Sequence, residues 1–381
     1  MNERAAAAGP RLSDRQRVHW LRLIRAENVG PATFRDLINR FGSAEAALEM
    51  LPELVTSGGA RRLPRIPSVA EAESEIAAAY KHGAALVAIG EPEYPPLLRR
   101  MDQPPPILAM KGEPRVFQLP AVAVVGARNA SLAGIRFARN LAAEIGREGH
   151  GIISGLARGI DTAAHQGGLA TGTVAVLAGG LDQPYPPENI DLSREIAERG
   201  GAIVSEMPFG WEPRAKDFPR RNRLIAGLSL GLVVVEAADR SGSLISARLA
   251  GEMGRLVFAV PGSPLDPRAV GSNKLLKEGA ILVTEARDVL DQITPLAGVR
   301  AAQPEPLPIE APPDFLATPP PGEDDRTRVT EALGPTPTDI DDVIRHTGLH
   351  PAQVFMILLE LDLAGKLERH AGGKVSLLYT G

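Results

Sequence analysis

The chain has 381 residues, no cysteine, 7 histidines and a formal net charge of −4. The lack of cysteine excludes disulfides, zinc–thiolate sites, iron–sulfur clusters and a cysteine nucleophile, and we predict no metal site. No run approaches about 20 apolar residues, and the first ten residues lack a signal-peptide pattern. The sequence therefore predicts a soluble cytoplasmic protein without a membrane span. Residues 323–381 hold 6 basic and 10 acidic residues, so the rest is neutral and any anion site must be a local cluster.

Residues 12–66 predict a small helical domain. Apolar residues recur at helical spacing in two runs, Val18, Leu21 and Ile24, then Phe34, Leu37, Ile38 and Phe41. The sequence Asn-Val-Gly-Pro at residues 28–31 separates them, and proline suits a first helical position. Such a helix–turn–helix unit either contacts the backbone of a nucleic acid or is a packing module, and packing is the commoner role.

Residues 84–293 alternate short apolar runs with helical stretches. The runs lie at 121–125, 151–154, 173–177, 202–205, 232–236, 256–260 and 280–283. Continuous apolar runs are typical of strands covered on both faces. The alternation predicts a parallel, doubly wound α/β sheet, which binds ligands at the carboxyl ends of its strands.

A proline-rich linker and a winged helix are predicted after the sheet. Residues 295–321 contain 9 prolines in 27 positions, which favours an extended linker. Residues 323–381 predict three helices, then strands at 366–369 and 374–379, an outline typical of a winged helix. The acidity of this segment disfavours strong DNA binding, because phosphate contacts need lysine and arginine. A contact with protein or an autoregulatory role is at least as well supported.

Three polar, glycine-containing turns follow three of the predicted strands. Such turns expose backbone N–H groups at a helix N-terminus, where an anion is favoured, and glycine lets the backbone approach a phosphate. All three should lie at one edge of a parallel sheet. Their candidate phosphate-binding residues are Gly126 and Arg128 in the first turn, Ser154, Gly155 and Gly159 in the second, and Ser241, Gly242 and Ser243 in the third. The dinucleotide fingerprint Gly-x-Gly-x-x-Gly and the Walker A motif are missing, which disfavours a nicotinamide enzyme.

A basic cluster interleaved with aromatics lies at residues 211–223, with 5 basic and 2 acidic residues in 13 positions. Cations beside aromatic rings suit single-stranded nucleic acid, because the charges bind the backbone and the rings stack on unpaired bases. One or two of the five basic residues are expected to be structural, Arg221 first. The candidate binding residues are Arg214, Lys216, Phe218, Arg221, Asn222 and Arg223.

No catalytic constellation stands out. Asp161 and His165 share a helix face and could form an acid–base pair, but bracing of the helix is the commoner role. Glu206 could be a base, although the sequence places no nucleophile or metal ligand beside it. We predict no catalytic residue and no cofactor.

Six ordered motifs resemble those of the DNA-processing protein A (DprA/Smf) family. They are Val-Val-Gly-Ala-Arg, Ser-Gly-Leu-Ala-Arg-Gly-Ile-Asp, Leu-Ala-Gly-Gly-Leu-Asp-Gln-Pro-Tyr-Pro, Phe-Pro-Arg-Arg-Asn-Arg-Leu-Ile-Ala-Gly-Leu-Ser, Ser-Gly-Ser and Val-Pro-Gly-Ser, and the resemblance spans roughly residues 92–283. Each motif alone is weak, whereas six in order are specific. The first turn reads Gly-Ala-Arg where the family frequently has Gly-Ser-Arg, which removes one hydroxyl donor.

The resemblance implies an extended Rossmann fold between a SAM-like helical domain and a winged helix. It also implies binding of single-stranded DNA without catalysis, protection of incoming strands in natural transformation, loading of a RecA-type recombinase, and a homodimer through the Rossmann domain. The family's pocket would use Arg128, residues 154–159 and residues 241–243, with Arg214 or Lys216 beside Phe218.

Two other functions remain open. One is a nucleotide hydrolase of the lysine-decarboxylase-like Rossmann type, although its Pro-Gly-Gly-x-Gly-Thr-x-x-Glu signature is not found here. The other is a protein scaffold to which DNA binding is incidental.

Overall fold

A computed structural model describes residues 10–297, 319–370 and 372–378. The N-terminal part consists of helices α1 (Asp14–Ile24), α2 (Pro31–Phe41) and α3 (Ala44–Ser57). Ser13 and Gln16 form a capping box that begins α1, each side chain accepting the backbone N–H of the other residue. The Trp20 ring meets the edge of Phe34 at 5.0 Å between centroids, which joins α1 to α2.

A nine-stranded sheet forms the central part. Its strands are β1 (Ala85–Ala88), β2 (Ile107–Gly112), β3 (Ala121–Gly126), β4 (Gly151–Ser154), β5 (Thr173–Val176), β6 (Ala202–Ser205), β7 (Gly231–Val235), β8 (Leu256–Ala259) and β9 (Ile281–Leu282). The order is β1-β2-β6-β5-β4-β3-β7-β8-β9. Seven strands from β6 to β9 are parallel, which confirms the predicted doubly wound sheet, whereas β1 and β2 add an antiparallel edge that the sequence analysis missed.

Helices cover both faces of this sheet. They are α5 (Pro96–Arg99), α6 (Leu132–Arg147), α7 (Ile160–Gly168), α8 (Ile190–Glu198), α9 (Asp217–Gly227), α10 (Gly242–Glu252), α11 (Val270–Lys277) and α12 (Ala286–Ala297). Helix α4 (Val69–Lys81) precedes β1 in the chain. Successive residues of β3 alternate between two buried clusters, Ala123 and Val125 in one and Val122 and Val124 in the other. A strand buried on both faces explains the unbroken apolar run.

The C-terminal part is a winged helix, as predicted. It contains α13 (Glu323–Ala332), β10 (Thr338–Asp339), α14 (Ile340–Thr347), α15 (Pro351–Leu363), β11 (Leu367–His370) and β12 (Lys374–Leu377). The short strand β10 pairs with β12 and was not expected from the sequence. Helix α12 includes Pro295, where the linker was expected to begin, and residues 298–318 of that predicted linker lie outside the described residues.

The chain divides into two compact units. Among the described residues, 10–11 and 75–297 belong to the unit that holds the sheet, while 12–74, 319–370 and 372–378 belong to the other. The N-terminal helices and the winged helix therefore pack together, although more than 200 residues separate them in sequence.

Candidate nucleic-acid interface

The three turns of interest meet at one edge of the sheet. Strand β3 lies between β4 and β7 and is parallel to both, so the carboxyl ends of all three strands point the same way. The turns lead into α6, α7 and α10 respectively. This is the edge at which doubly wound sheets bind ligands.

A cleft of about 850 Å³ opens at this edge. Eight of the predicted binding residues line it: Gly126, Arg128, Phe218, Arg221, Asn222, Ser241, Gly242 and Ser243. Its charged lining residues are four arginines, Arg128, Arg221, Arg240 and Arg268, and one carboxylate, Asp161. The cleft is therefore a local positive site on a chain whose net charge is −4, which suits a polyanion.

Helix α10 presents its N-terminus to the cleft. Ser241 caps the helix, because its Oγ accepts the backbone N–H of Ser243 at 3.3 Å. Gly242 is exposed, and a Cβ added there would meet no atom within 4 Å. Ser241 already accepts the N–H groups of Ser243 and Leu244, so a phosphate at this end would bind at the exposed Gly242 and in the field of the helix dipole.

The turn after β3 contributes an arginine but no open helix end. Glu236 accepts the backbone N–H of Ser131 at 2.8 Å and also bonds the Ser131 hydroxyl, so its carboxylate occupies the N-terminus of α6. The protein's own carboxylate therefore takes the helix end at this turn, while Gly126 lines the cleft and stays a predicted phosphate contact. Arg128 lies with its guanidinium carbon 5.2 Å from the centroid of Phe218, and this cation–π contact orients it at the cleft wall.

The turn after β4 is likewise occupied by the protein's own carboxylate. Asp161 accepts the N–H groups of Gly155 at 3.1 Å and Ala157 at 3.3 Å. Burial raises the pKa of Asp161 from its ordinary value, while Arg221 opposes that rise. Gly155 therefore has no free N–H for a phosphate, and Asp161 braces the loop as expected.

Ser154 and Gly159 serve packing. The Ser154 hydroxyl is fully buried and donates to the carbonyl of Val124 at 2.7 Å, so it joins two strands and does not reach the cleft. Gly159 has a φ of +74°, and an added Cβ would lie 2.3 Å from the carbonyl oxygen of Ala127. Only glycine allows this close approach between the two turns.

His165 lies on α7 and is a structural residue that holds the same loop. Its Nε2 accepts the N–H of Leu156 at 3.3 Å, and its Nδ1 lies 2.8 Å from the hydroxyl of Thr173. Complete burial lowers the pKa of His165 to about 3, so the ring is neutral at pH 7. The bracing role expected for this residue agrees with the geometry.

Arg221 lies beneath the cleft. It is buried and donates to two backbone carbonyl oxygens. One belongs to Gly155, which begins the turn after β4, and the other to Val176, the last residue of β5. Burial lowers the pKa of Arg221 to about 10, which leaves it charged at pH 7. Its guanidinium carbon lies 5.8 Å from the Phe218 ring centroid, so it supports that ring from below.

The other four basic residues of the 211–223 cluster fall into two groups, one paired with a carboxylate and one outside the cleft. Arg220 and Arg223 both pair with buried Glu206, and Arg223 also donates to the carbonyl of Gln103. With Arg221, three of the five basic residues have protein partners, one more than expected. The guanidinium carbon of Arg214 lies 4.6 Å from the ring centroid of Trp211, and Lys216 is exposed. The predicted binding residues Arg214, Lys216 and Arg223 do not line the cleft.

The sequence analysis missed four polar residues of the cleft, one of them Ser246 on α10. Asn129 and Arg240 lie in the first and third turns, directly beside predicted residues, and Arg268 follows β8 in a one-turn helix. Arg268 pairs with Asp266 at 2.8 Å. Arg240 directly precedes Ser-Gly-Ser, so the sequence alone could have suggested it. Arg268 could not be predicted in this way, because it comes near the cleft only when β8 takes its place in the sheet beside β7. Tyr185, which contacts Phe218 edge-on at 5.8 Å, is 44% exposed and extends the aromatic surface.

Within the described residues, no group of three or more histidine or acidic side chains could hold a metal ion. The described helices also include none that is both long and apolar enough to cross a membrane.

Comparison with known proteins agrees with this arrangement. Residues 85–294, more than half of the chain, match the family model for DNA recombination-mediator protein A. Residues 14–78 match the DprA-like N-terminal HHH domain, and residues 310–373 match the DprA winged helix domain. Protein Smf of Escherichia coli is 40% identical over 294 residues, covering 74% of this chain and 75% of that protein. A putative DNA processing protein DprA of Mycobacterium tuberculosis is 34% identical, covering 93% and 92%.

Two solved structures share the fold. DNA processing protein A from Streptococcus pneumoniae superposes with a TM-score of 0.59 at 32% identity, covering 74% of this chain and 99% of that one. The protein from Helicobacter pylori, whose structure concerns its binding of single-stranded DNA, gives a TM-score of 0.51 at 28% identity, covering 56% and 96%.

Proposed function

This chain belongs to the DNA recombination-mediator protein A (DprA/Smf) family, and from that premise we propose that it binds single-stranded DNA in the arginine-lined cleft. One observation carries the proposal. The exposed N-terminus of α10 lies in the same cleft as Arg128, Arg240 and Arg268. A helix N-terminus and arginines both favour phosphate. Their spread over several turns fits a chain of phosphates better than one small anion.

The bound strand would contact both the charges and the rings. One phosphate would lie at residues 241–243, with neighbouring phosphates near Arg128 and Arg240. Phe218 and the exposed Tyr185 offer aromatic surface to unpaired bases. Arg214 or Lys216 would extend the basic track outside the cleft. Because phosphate contacts carry no sequence information, we expect weak base preference.

Binding without catalysis is part of the proposal. Three groups that could act as acid or base near the turns are engaged. Asp161 and His165 bond the loop after β4, and Glu206 forms two ion pairs. The sequence also lacks the Pro-Gly-Gly-x-Gly-Thr-x-x-Glu signature, with its catalytic glutamate, of the nucleotide hydrolases considered above. Incubation with AMP tests this, because released free base would support the hydrolase instead.

The wider role follows the family resemblance. We propose that the protein protects incoming single strands in natural transformation, helps to load a RecA-type recombinase and acts in the cytoplasm as a homodimer through the Rossmann domain. We also propose the domain division predicted from the sequence, at 12–66, 84–293, 295–321 and 323–381. Light scattering with and without oligonucleotide tests the dimer, and co-elution with a RecA-type recombinase tests the second partner.

The cleft is tested by Arg128→Ala. Loss of this arginine should weaken binding of every single-stranded sequence and reduce the slope of log K against log salt by about 0.7, the value for one phosphate contact. Fluorescence anisotropy of a labelled oligonucleotide at several salt concentrations measures both quantities.

Arg147→Ala is the matched control, because this exposed arginine ends α6 and so lies at the opposite edge of the sheet. It should bind like the unmodified chain. If Arg128→Ala also binds normally across the salt series, the cleft is not the DNA site.

A further inference from the structure

Helix α15 occupies the position of a DNA-reading helix. In a helix-turn-helix the second helix lies in the major groove, where arginine, lysine, asparagine and glutamine read the bases. Helix α15 follows α14 after a short turn, as such a helix does. Its 13 residues include no lysine or arginine, and its charged residues are Glu360 and Asp362. This composition repels a phosphate backbone.

Helix α15 is also apolar on two opposite faces. One stripe belongs to the core of the winged helix and consists of Val354, Ile357, Leu358 and Leu361. A second stripe is equally buried, lies on the opposite side at 100° per residue and consists of Ala352, Met356, Leu359 and Leu363. A helix that buries apolar residues on two opposite faces is enclosed between two layers of protein.

The N-terminal helices supply the second layer. Helix α15 packs against α3 and α2. At the C-cap of α3, a Cβ added to Gly58 would lie 2.1 Å from the backbone oxygen of Glu360, so the two helices touch through their backbones. The polar contacts across this interface are Asn28 Nδ2 to Leu363 O at 2.9 Å, Thr33 Oγ1 to Asp362 Oδ2 at 2.9 Å, and Arg369 to Asp36 at 3.0 Å.

The contact also involves the turn between α1 and α2. Asn28 begins the turn between α1 and α2, the segment that the sequence analysis considered for backbone contact. Its side-chain amide donates to α15, and a Cβ at Gly365 would lie 3.2 Å from it. Asn28 itself remains exposed, so the end of α15 contacts this turn without covering it. The second stripe of α15, in contrast, is buried where the helix packs against α2 and α3.

We propose that α15 is an intramolecular docking helix, whose partner is the chain's own N-terminal helices α1–α3, and that it does not read duplex DNA. The buried second stripe supplies the contact area, and Thr33, Asp36, Asp362 and Arg369 fix its register.

The chain has no cysteine, so a cysteine pair tests the docking directly. In the full chain, Asp36→Cys with Arg369→Cys should react with a short bis-maleimide to give an intramolecular crosslink, at a yield that does not depend on protein concentration. Mass spectrometry and gel mobility measure it. Failure to crosslink would overturn the proposal, and so would a crosslink that joins two chains.

Gly58→Ala in this cysteine background disturbs the contact without straining the backbone, because the φ of Gly58 is −71°. Its methyl group must push α15 away, so the crosslinking rate should fall by about tenfold. Gly334→Ala is the matched control, since a Cβ there meets nothing within 4 Å, and it should crosslink at the parent rate. Unchanged single-strand affinity in both variants shows that the rest of the chain is folded. A parent rate in Gly58→Ala would contradict the docked geometry.

Duplex binding tests the second half of the proposal. The crosslinked and uncrosslinked chains should bind a short blunt-ended duplex with equal affinity, because α15 is docked in both. A clear loss of duplex affinity on crosslinking would show that α15 leaves the N-terminal helices to read DNA, which would overturn the proposal.

Discussion

At the scale of single residues, two carboxylates decide which backbone N–H groups remain available to a ligand. Glu236 occupies the N-terminus of α6 and Asp161 occupies the turn after β4. Both turns contain the glycines that a phosphate site needs, yet the N–H groups of Ser131, Gly155 and Ala157 already have carboxylate partners. The third turn is capped by the neutral Ser241. The positive character of the cleft therefore comes from its arginines and from one helix end.

His165 gives a prediction for pH. Its pKa is about 3 in the folded protein and about 6.5 in an unfolded chain, so below pH 6.5 only the unfolded state takes up this proton. The free energy of unfolding should fall by up to about 2 kcal/mol between pH 6.5 and 5. The experiment is denaturant unfolding at several pH values for the unmodified chain and for His165→Gln.

The glutamine side chain keeps hydrogen-bonding capacity and does not titrate, so the variant should lose that part of the pH dependence. Asp161 is present in both proteins, and its titration cancels in the comparison. Equal slopes for the two proteins over this range would mean that His165 becomes charged in the folded state.

At the scale of elements, α10 gives a prediction in which stability and binding change in opposite directions. Gly242→Glu places a carboxylate in the first turn of a helix, where it interacts favourably with the helix dipole. The free energy of unfolding should rise by about 0.5–1 kcal/mol. The same carboxylate lies where a phosphate would bind, so single-strand affinity should fall by about tenfold or more.

Gly242→Ala separates charge from the loss of glycine. The position has room for a Cβ, so the small, uncharged methyl group should reduce DNA affinity much less than glutamate does, as measured by anisotropy beside thermal unfolding. If glutamate and alanine bind DNA equally well, the N-terminus of α10 does not hold a phosphate.

Some of the structural elements could be predicted from the sequence and others could not. The seven parallel strands were predictable, because unbroken apolar runs between glycine turns are typical of a sheet covered on both faces. Strands β1 and β2 were missed, since an antiparallel edge lacks the strand–helix alternation on which the prediction relied. The occupied turns were also out of reach, because Glu236 is 105 residues from Ser131 and only the folded sheet brings them together.

Helix α15 is a different case. Its second apolar stripe is present in the sequence at regular spacing, but the first stripe alone already accounted for a winged-helix core. The partner of the second stripe could not be predicted, because α3 ends at Ser57 and α15 begins at Pro351. A contact over such a separation leaves no local pattern.

At the scale of the whole molecule, the charge distribution limits how the protein can hold DNA. The net charge is −4, so no general attraction operates and the cleft must supply the electrostatic part of binding. Three arginines that line the cleft, Arg128, Arg240 and Arg268, are its candidate phosphate ligands besides the buried Arg221. Arg214 or Lys216 would add one contact outside the cleft. Three to four phosphate contacts predict a slope of log K against log salt of about −2 to −3 for single strands.

Anisotropy titrations with an unstructured oligonucleotide from low to moderate salt measure this slope for the full chain. Arg268 is partly neutralised by Asp266, so a slope slightly shallower than −2 still agrees with the cleft. A much steeper slope would require a basic surface far wider than these contacts, and it would move the binding site away from this edge of the sheet. A slope near zero would leave stacking on Phe218 and Tyr185 as the source of affinity, and the arginines would then have no phosphate partners.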